Sequence, residues 1–170
     1  MPNAAAKSTL LVLGIGANLS DRLKNLREAR ARLAALPLSV TAVSQVYETP
    51  PAGGPPQPDY LNAALAVTTT LSPEALLAGC LEIERALGRR RPDPIRWGPR
   101  TIDIDLLWWE GGPFRSAHLT LPHPRLRERA FALRPLLDVA PEAADPSDGR
   151  PYRELLAGLA PIRCLGALDG

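Results

Sequence analysis

Apolar runs, stripes of helical period and proline-rich breaks alternate along this chain. Residues 9–15, TLLVLGI, form an unbroken apolar run ending beside glycine, the pattern of a central strand covered on both faces. In GANLSD, which follows, Asn18 or Ser20 stands where a helix cap belongs, and Asn18 with Asp21 has the spacing of a capping box. Leu23, Leu26, Leu33 and Leu36 then recur at roughly helical spacing up to Pro37. Residues 39–48, SVTAVSQVYE, are rich in β-branched types and predict a second strand. Residues 49–59, TPPAGGPPQPD, hold five prolines and two glycines, which exclude both ladder and helix. The apolar patterning resumes beyond them, so they predict a long loop inside one domain. Residues 60–71 alternate, with Leu61, Ala63, Leu65 and Val67 on one face and Tyr60, Asn62 and Ala64 on the other.

The clearest helix spans LSPEALLAGCLEIERALG, with Ser72 as cap, Pro73 in the first turn and Gly88 at the end. Leu76, Leu77, Cys80, Ile83, Ala86 and Leu87 form its expected buried stripe. A basic, proline-rich loop, RRRPDPIRWGPR, leads into a strand, TIDIDLLWW, and EGGP predicts a turn into another strand, FRSAHLTL. HPRLRERAFALRPLLDVAP reads as a helix starting near Pro124 or Arg125, and the tail as a short helix and a last edge segment. Hairpin-like strand pairs mixed with helices predict an α+β fold, an antiparallel sheet covered by helices in a ferredoxin-like arrangement. One domain over residues 1–170 is expected, with residues 1–8 as a flexible tail rather than a signal peptide.

Composition narrows the picture. With 170 residues and 45% hydrophobic types, the chain can bury a core without staples. Cys80 and Cys164 match no metal spacing and predict thiols, not a disulfide framework. No run of 18 apolar residues exists, so a soluble cytoplasmic protein without a membrane partner is expected. A net charge of +2 argues against a strong polyanion binder. The bases are 18 arginines against two lysines, and the guanidinium fork suits phosphate, although a solvated surface accounts for most of them. No P-loop, dinucleotide glycine motif, nucleophile elbow or zinc pattern is present, and the G-x-G in LGIGANL is a weak signal.

The chemistry concentrates in RWGPRTIDIDLL. On a strand, Thr101, Asp103 and Asp105 share one face, while Ile102, Ile104, Leu106 and Trp108 share the other and should be core. Two ionised carboxylates this close repel unless a cation lies between or beside them, and hard cations such as Mg²⁺ take such oxygens together with substrate phosphates. The spacing alone leaves an ordinary charged strand face equally open. Arg89, Arg90, Arg91, Arg96 and Arg100 precede the strand within a dozen residues, and guanidinium forks beside a dicarboxylate metal site are what a triphosphate requires. A basic loop could instead contact nucleic acid, but the adjacent acids would repel a bare nucleic-acid backbone. Tyr60, Trp97 and Phe131 stand beside polar groups at element edges, and His123 lies between two prolines in LPHPRL.

GIGANL, VYETPP, QPDYLNA, RWGPRTIDIDLL and LPHPRLRERAFAL together resemble the successive signatures of the 6-hydroxymethyl-7,8-dihydropterin pyrophosphokinase family, over about residues 9–141. The resemblance implies a ferredoxin-like α+β sandwich that moves a pyrophosphoryl group from ATP to a pterin hydroxymethyl group, releasing AMP, in folate biosynthesis. By the same resemblance Asp103 and Asp105 are ligands of two Mg²⁺ ions, with Arg89, Arg91 (or its neighbour Arg90) and Arg100 as catalytic, phosphate-contacting arginines. Glu84, Arg89, Arg96, Trp97, Arg100 and His123 are placed near ATP. Tyr60 and Phe131 sandwich the pterin, Asn62 bonds its edge, Thr49, Pro50 and Ala52 line its pocket, and Arg129 flanks it. A monomer acting on ATP and the pterin, with no nucleic-acid partner, is expected. The other open functions are a ferredoxin-like nucleic-acid-binding module and a two-metal nucleotidyltransferase with another acceptor.

Overall fold

The computed structural model describes residues 8–51, 53–89 and 98–169. In chain order its elements are β1 (Thr9–Ala17), α1 (Arg22–Ala34), β2 (Leu38–Val43), β3 (Gln45–Thr49), β4 (Tyr60–Thr69), α2 (Pro73–Ala86), β5 (Asp103–Trp109), β6 (Phe114–Arg115), β7 (Thr120–Leu121), α3 (Ala130–Val139), α4 (Tyr152–Ala157) and β8 (Arg163–Ala167). Six strands form one sheet in the order β5-β1-β4-β3-β8, with β2 also pairing β4, and every pairing is antiparallel. This is the expected α+β, ferredoxin-like sandwich. The short β6–β7 hairpin stands apart from the sheet.

The central strands are apolar on both faces because both faces are covered. Leu11, Leu13 and Ile15 of β1 and Leu61, Ala63, Leu65 and Val67 of β4 pack with Leu26, Ala29 and Leu33 of α1 and Leu76, Cys80 and Ile83 of α2. On the opposite face Val12 and Ala64 meet Ala132, Leu133, Leu136 and Leu137 of α3, with Tyr152 of α4 behind them. No helix among the described residues is long and apolar enough to cross a membrane. Cys80 is buried and Cys164 exposed, both as free thiols.

The structure corrects several local expectations. Asp21, not Asn18 or Ser20, caps α1, its side chain accepting from Lys24 N. Ser20 has φ 57°, outside the extended conformation an N-cap adopts. The expected strand 39–48 divides at Ser44, whose hydroxyl accepts from Ala64 N at 2.7 Å and so stands in for a backbone acceptor at the break. Ala86 is exposed, and Glu84 occupies the buried side of α2 instead. In β5 the register against β1 shifts at Leu107, so Trp108 joins the α3 face rather than the face of Ile104 and Leu106. That is the effect of a bulge, which inserts one residue and inverts the alternation beyond it. FRSAHLTL forms two two-residue strands, not one. The expected helix at 124–125 starts at Ala130, after a short 3-10 turn over Leu126–Glu128.

Candidate active site

The register of three strands builds the floor of the site. Gly16 of β1 lies opposite Asn62 of β4 on one side and Asp103 of β5 on the other. Gly14 lies likewise between Ala64 and Asp105. Residues directly opposite share a face, and neighbouring strands are about 4.8 Å apart, so the two carboxylates and Asn62 look up from columns roughly 10 Å apart. Between them the floor is bare glycine backbone. A Cβ on Gly16 would come 2.9 Å from Asn62 Oδ1, and one on Gly14 would come 3.0 Å from a Leu107 methyl. Gly16→Ala is therefore expected to displace Asn62 and to raise KM by roughly tenfold for a substrate seated at that end of the cavity, with little change at the carboxylate end. Steady-state kinetics with each substrate varied in turn would measure the difference.

Above this floor is a cavity of about 250 Å³. At one end are Tyr60, Asn62, Thr49, Pro50, Phe131 and Arg129. Asn62, buried, donates from Nδ2 to Thr49 Oγ1 at 2.8 Å, which tethers its side chain to the end of β3. Phe131 reaches the cavity because the chain breaks from 3-10 turn to α3 at Arg129, whose φ of −114° and ψ of 95° are extended. The Arg129 guanidinium lies over the Phe131 ring, 5.4 Å from its centre. Burial and then the neighbouring Arg125 charge lower the pKa of Arg129 from its ordinary value.

At the other end Asp103, Asp105 and Arg100 line the wall. Arg100 Nη1 donates to Asp103 Oδ2 at 3.1 Å and Arg89 Nη1 to Asp103 Oδ1 at 2.6 Å. Arg89 also donates to Glu84 Oε2 at 2.9 Å, and the same oxygen accepts Ile104 N at 2.8 Å. The side chains of Arg89 and Glu84 are only 4% and 1% exposed, and both lie behind Asp103 rather than on the cavity wall. Their placement follows from the end of α2. Gly88 takes φ 96°, and Arg89 N then donates back to Glu84 O at 3.0 Å, turning the chain so that Arg89 folds under its own helix.

Burial, then the carboxylates of Asp103 and Glu84, push the pKa of Asp105 up to about 7. The folded chain thus holds this proton more tightly than the unfolded chain does. The stabilisation is complete below about pH 4, the ordinary aspartate value, and is lost as pH rises through about 7. In EDTA, Asp105→Asn should melt above the parent protein at pH 8, and this advantage should vanish near pH 4. A carboxylate destabilised by its neighbours and open to a cavity suits a divalent cation. No set of three or more His, Cys, Asp or Glu side chains converges among the described residues. A hard cation held here would therefore complete its shell with water and substrate oxygens.

His123 lies beside the cavity but faces a second recess, with Pro122, Pro124 and Tyr152. Its Nδ1 accepts from Arg125 N at 3.2 Å, and burial, then the Arg129 charge, lower its pKa. Ala52, Arg91 (with Arg90), Arg96 and Trp97 lie outside the described residues. Gln57 and Arg125 line the cavity and were not singled out from sequence, although both fall inside the quoted motifs QPDYLNA and LPHPRL.

The model of the 7,8-dihydro-6-hydroxymethylpterin-pyrophosphokinase (HPPK) family matches residues 12–141. The chain belongs to this family. It is 47% identical over 154 residues to the 2-amino-4-hydroxy-6-hydroxymethyldihydropteridine pyrophosphokinase of Methylorubrum extorquens, covering 90% of this chain and 95% of that one. It is 40% identical over 146 residues to the protein of the same name from Synechocystis sp., covering 85% and 73%. A crystal structure of an HPPK-DHPS in complex with substrates superposes with a TM-score of 0.69 at 14% identity, over 88% of this chain and 45% of that one. That likeness bears on the fold, and this chain spans less than half of that solved one. Within the family match fall both carboxylates, the glycine floor and the rings of Tyr60 and Phe131.

Proposed function

We propose that the cavity holds the pterin between Tyr60 and Phe131, with its edge on Asn62, and the ATP phosphates over Asp103 and Asp105. Membership of the family makes the protein an ATP-dependent diphosphotransferase: it moves the pyrophosphoryl group of ATP to the hydroxymethyl group of 6-hydroxymethyl-7,8-dihydropterin in folate biosynthesis. The observation that carries the assignment of the two ends is the shared row Asp103–Gly16–Asn62. It puts two carboxylates and a side-chain amide on one sheet face, about two strand spacings apart, in a single cavity, which supports seating the phosphates at one end and the heterocycle at the other.

A flat, polar ring system is suited to aromatic faces and to one oriented amide. Thr49 holds that amide, so Asn62 is aligned before the substrate arrives. Mg²⁺ on Asp103 and Asp105, two ions in this reading, would neutralise phosphate charge and orient the phosphate chain. The chain's own residues complete the electrostatics. Arg100 presents guanidinium donors at the wall beside Asp103, Arg129 stays with Phe131 at the pterin end, and Arg89 sets the position of Asp103 from behind. The pterin hydroxyl oxygen forms a bond to the β-phosphorus while the bond from that phosphorus to the α,β-bridging oxygen breaks. The electron pair leaves with AMP, and the hydroxyl proton passes to solvent water. Pre-aimed cations act where charge gathers on the bridging oxygen.

Neither the nucleic-acid-binding module nor the nucleotidyltransferase is favoured. The deciding experiment incubates the protein with ATP, Mg²⁺ and the hydroxymethyl pterin. AMP and a pyrophosphorylated pterin are expected. Release of pyrophosphate would point to nucleotidyl transfer, and steeply salt-dependent RNA binding without AMP would point to the binding module.

A further inference from the structure

Asn18 is 1% exposed and uses both ends of its amide on two different loops. Its Oδ1 accepts from Arg100 N at 2.9 Å, and its own backbone N donates to Arg100 O at 3.1 Å. Its Nδ2 donates to Gln57 Oε1 at 2.8 Å and to Pro58 O at 3.0 Å. Arg100 N can only donate and Pro58 O can only accept, so the orientation of the amide is fixed by backbone groups and not by choice of rotamer. Gln57 passes the connection on, its Nε2 donating to Gly53 O and Pro55 O, each at 3.2 Å.

From these bonds we infer that Asn18, acting through Gln57, is a positioning residue that locks the two substrate ends of the cavity to each other. On one side it fixes the backbone of Arg100, whose guanidinium holds Asp103. On the other it fixes residues 53–58, which enter β4 at Tyr60, the ring beside Asn62. Among the described residues neither loop has a ladder of its own to set its height over the sheet, because Pro50, Pro51, Pro55, Pro56 and Pro58 carry no donor and residues 98–102 precede β5. The buried amide supplies the missing connections. Asn18 itself does not line the cavity, so it acts through Arg100, Gln57 and Pro58.

Two variants separate the two ends. Asn18→Asp keeps the Oδ1 acceptor for Arg100 N and loses the donors to Gln57 and Pro58, whereas Asn18→Ala loses both. Asn18→Asp should raise KM for the pterin by about tenfold and leave KM for ATP within about twofold, while Asn18→Ala should raise both and lower kcat. Gln57→Ala should reproduce the pterin defect alone, and Asn18→Ala/Gln57→Ala should be no worse than Asn18→Ala at the pterin end. Equal effects of Asn18→Asp and Asn18→Ala on both substrates, or full additivity with Gln57→Ala, would overturn the inference.

The kinetic arm rests on the pyrophosphokinase reading, so hydrogen exchange on the substrate-free protein supplies a second arm. The amide of Arg100 should exchange faster in Asn18→Ala than in Asn18→Asp, and peptides over residues 53–58 should exchange faster in both. If the parent makes no AMP but this exchange pattern holds, the functional reading fails and the link between the loops stands. If AMP is made but the pattern is absent, the link fails alone.

Discussion

Asp103→Ala and Asp105→Ala should each lower AMP formation by about a thousandfold or more while leaving the far-ultraviolet dichroism unchanged. The size follows from removing a charge at the proposed phosphate end of the cavity, where a pre-aimed electrostatic contact is worth on the order of 10²–10³ in rate and loss of the proposed metal adds to it. The fold should survive because both side chains point into the cavity and not into either core. In Asp103→Ala, Arg89 still has the Glu84 carboxylate. Retention of near-parental AMP formation in either variant would remove the metal-binding assignment of the pair.

Glu84→Ala should be the most damaging single change to stability among the site residues. It removes the carboxylate that holds the buried Arg89 guanidinium and leaves the buried Ile104 N without its acceptor. Breaking a buried charge pair from one side costs about 3–5 kcal/mol, and Asp103 retains part of the arginine's neutralisation, so the lower end applies, about 3 kcal/mol. For a chain of this size that lowers Tm by roughly 6–12 °C. Glu84→Gln keeps an acceptor for Ile104 N and should lose less. Thermal melts of both variants would measure it, and a Glu84→Ala protein melting within about 2 °C of the parent would show that the pair supports nothing. Arg125–Glu128 is a useful control. At 57% and 62% exposed, that pair should be removable with little effect.

These expectations differ in how far the sequence reached them. The period-two alternation of residues 101–106 already separates Asp103 and Asp105 from Ile102, Ile104 and Leu106, and Tyr60 and Asn62 from Leu61 and Ala63. Alternation is local: it depends on the pleat of one strand and needs no partner. The same rule misplaced Trp108, because a bulge depends on what β1 offers opposite Leu107. Helical spacing misplaced Ala86 for a similar reason. A glutamate reads as solvent-facing until a buried arginine and a strand N–H are found beside it.

Asn18 and the two glycines show the limit most clearly. As a sequence, Asn18 resembles a helix cap and G-x-G is a weak motif. Their roles arise only when β1 is inserted between β4 and β5, which puts Gly16 between Asn62 and Asp103 and brings Asn18 under both loops.

The sequence by itself determined the α+β class, the apolar faces of the strands and the two carboxylates that share a face, since each depends on spacing along one segment. Only the tertiary structure decided that Arg89 and Glu84 are buried behind Asp103, that glycine backbone makes the floor, and that one asparagine joins two loops. Those features depend on cross-strand register and on buried donors finding acceptors dozens of residues away, and no local period encodes either.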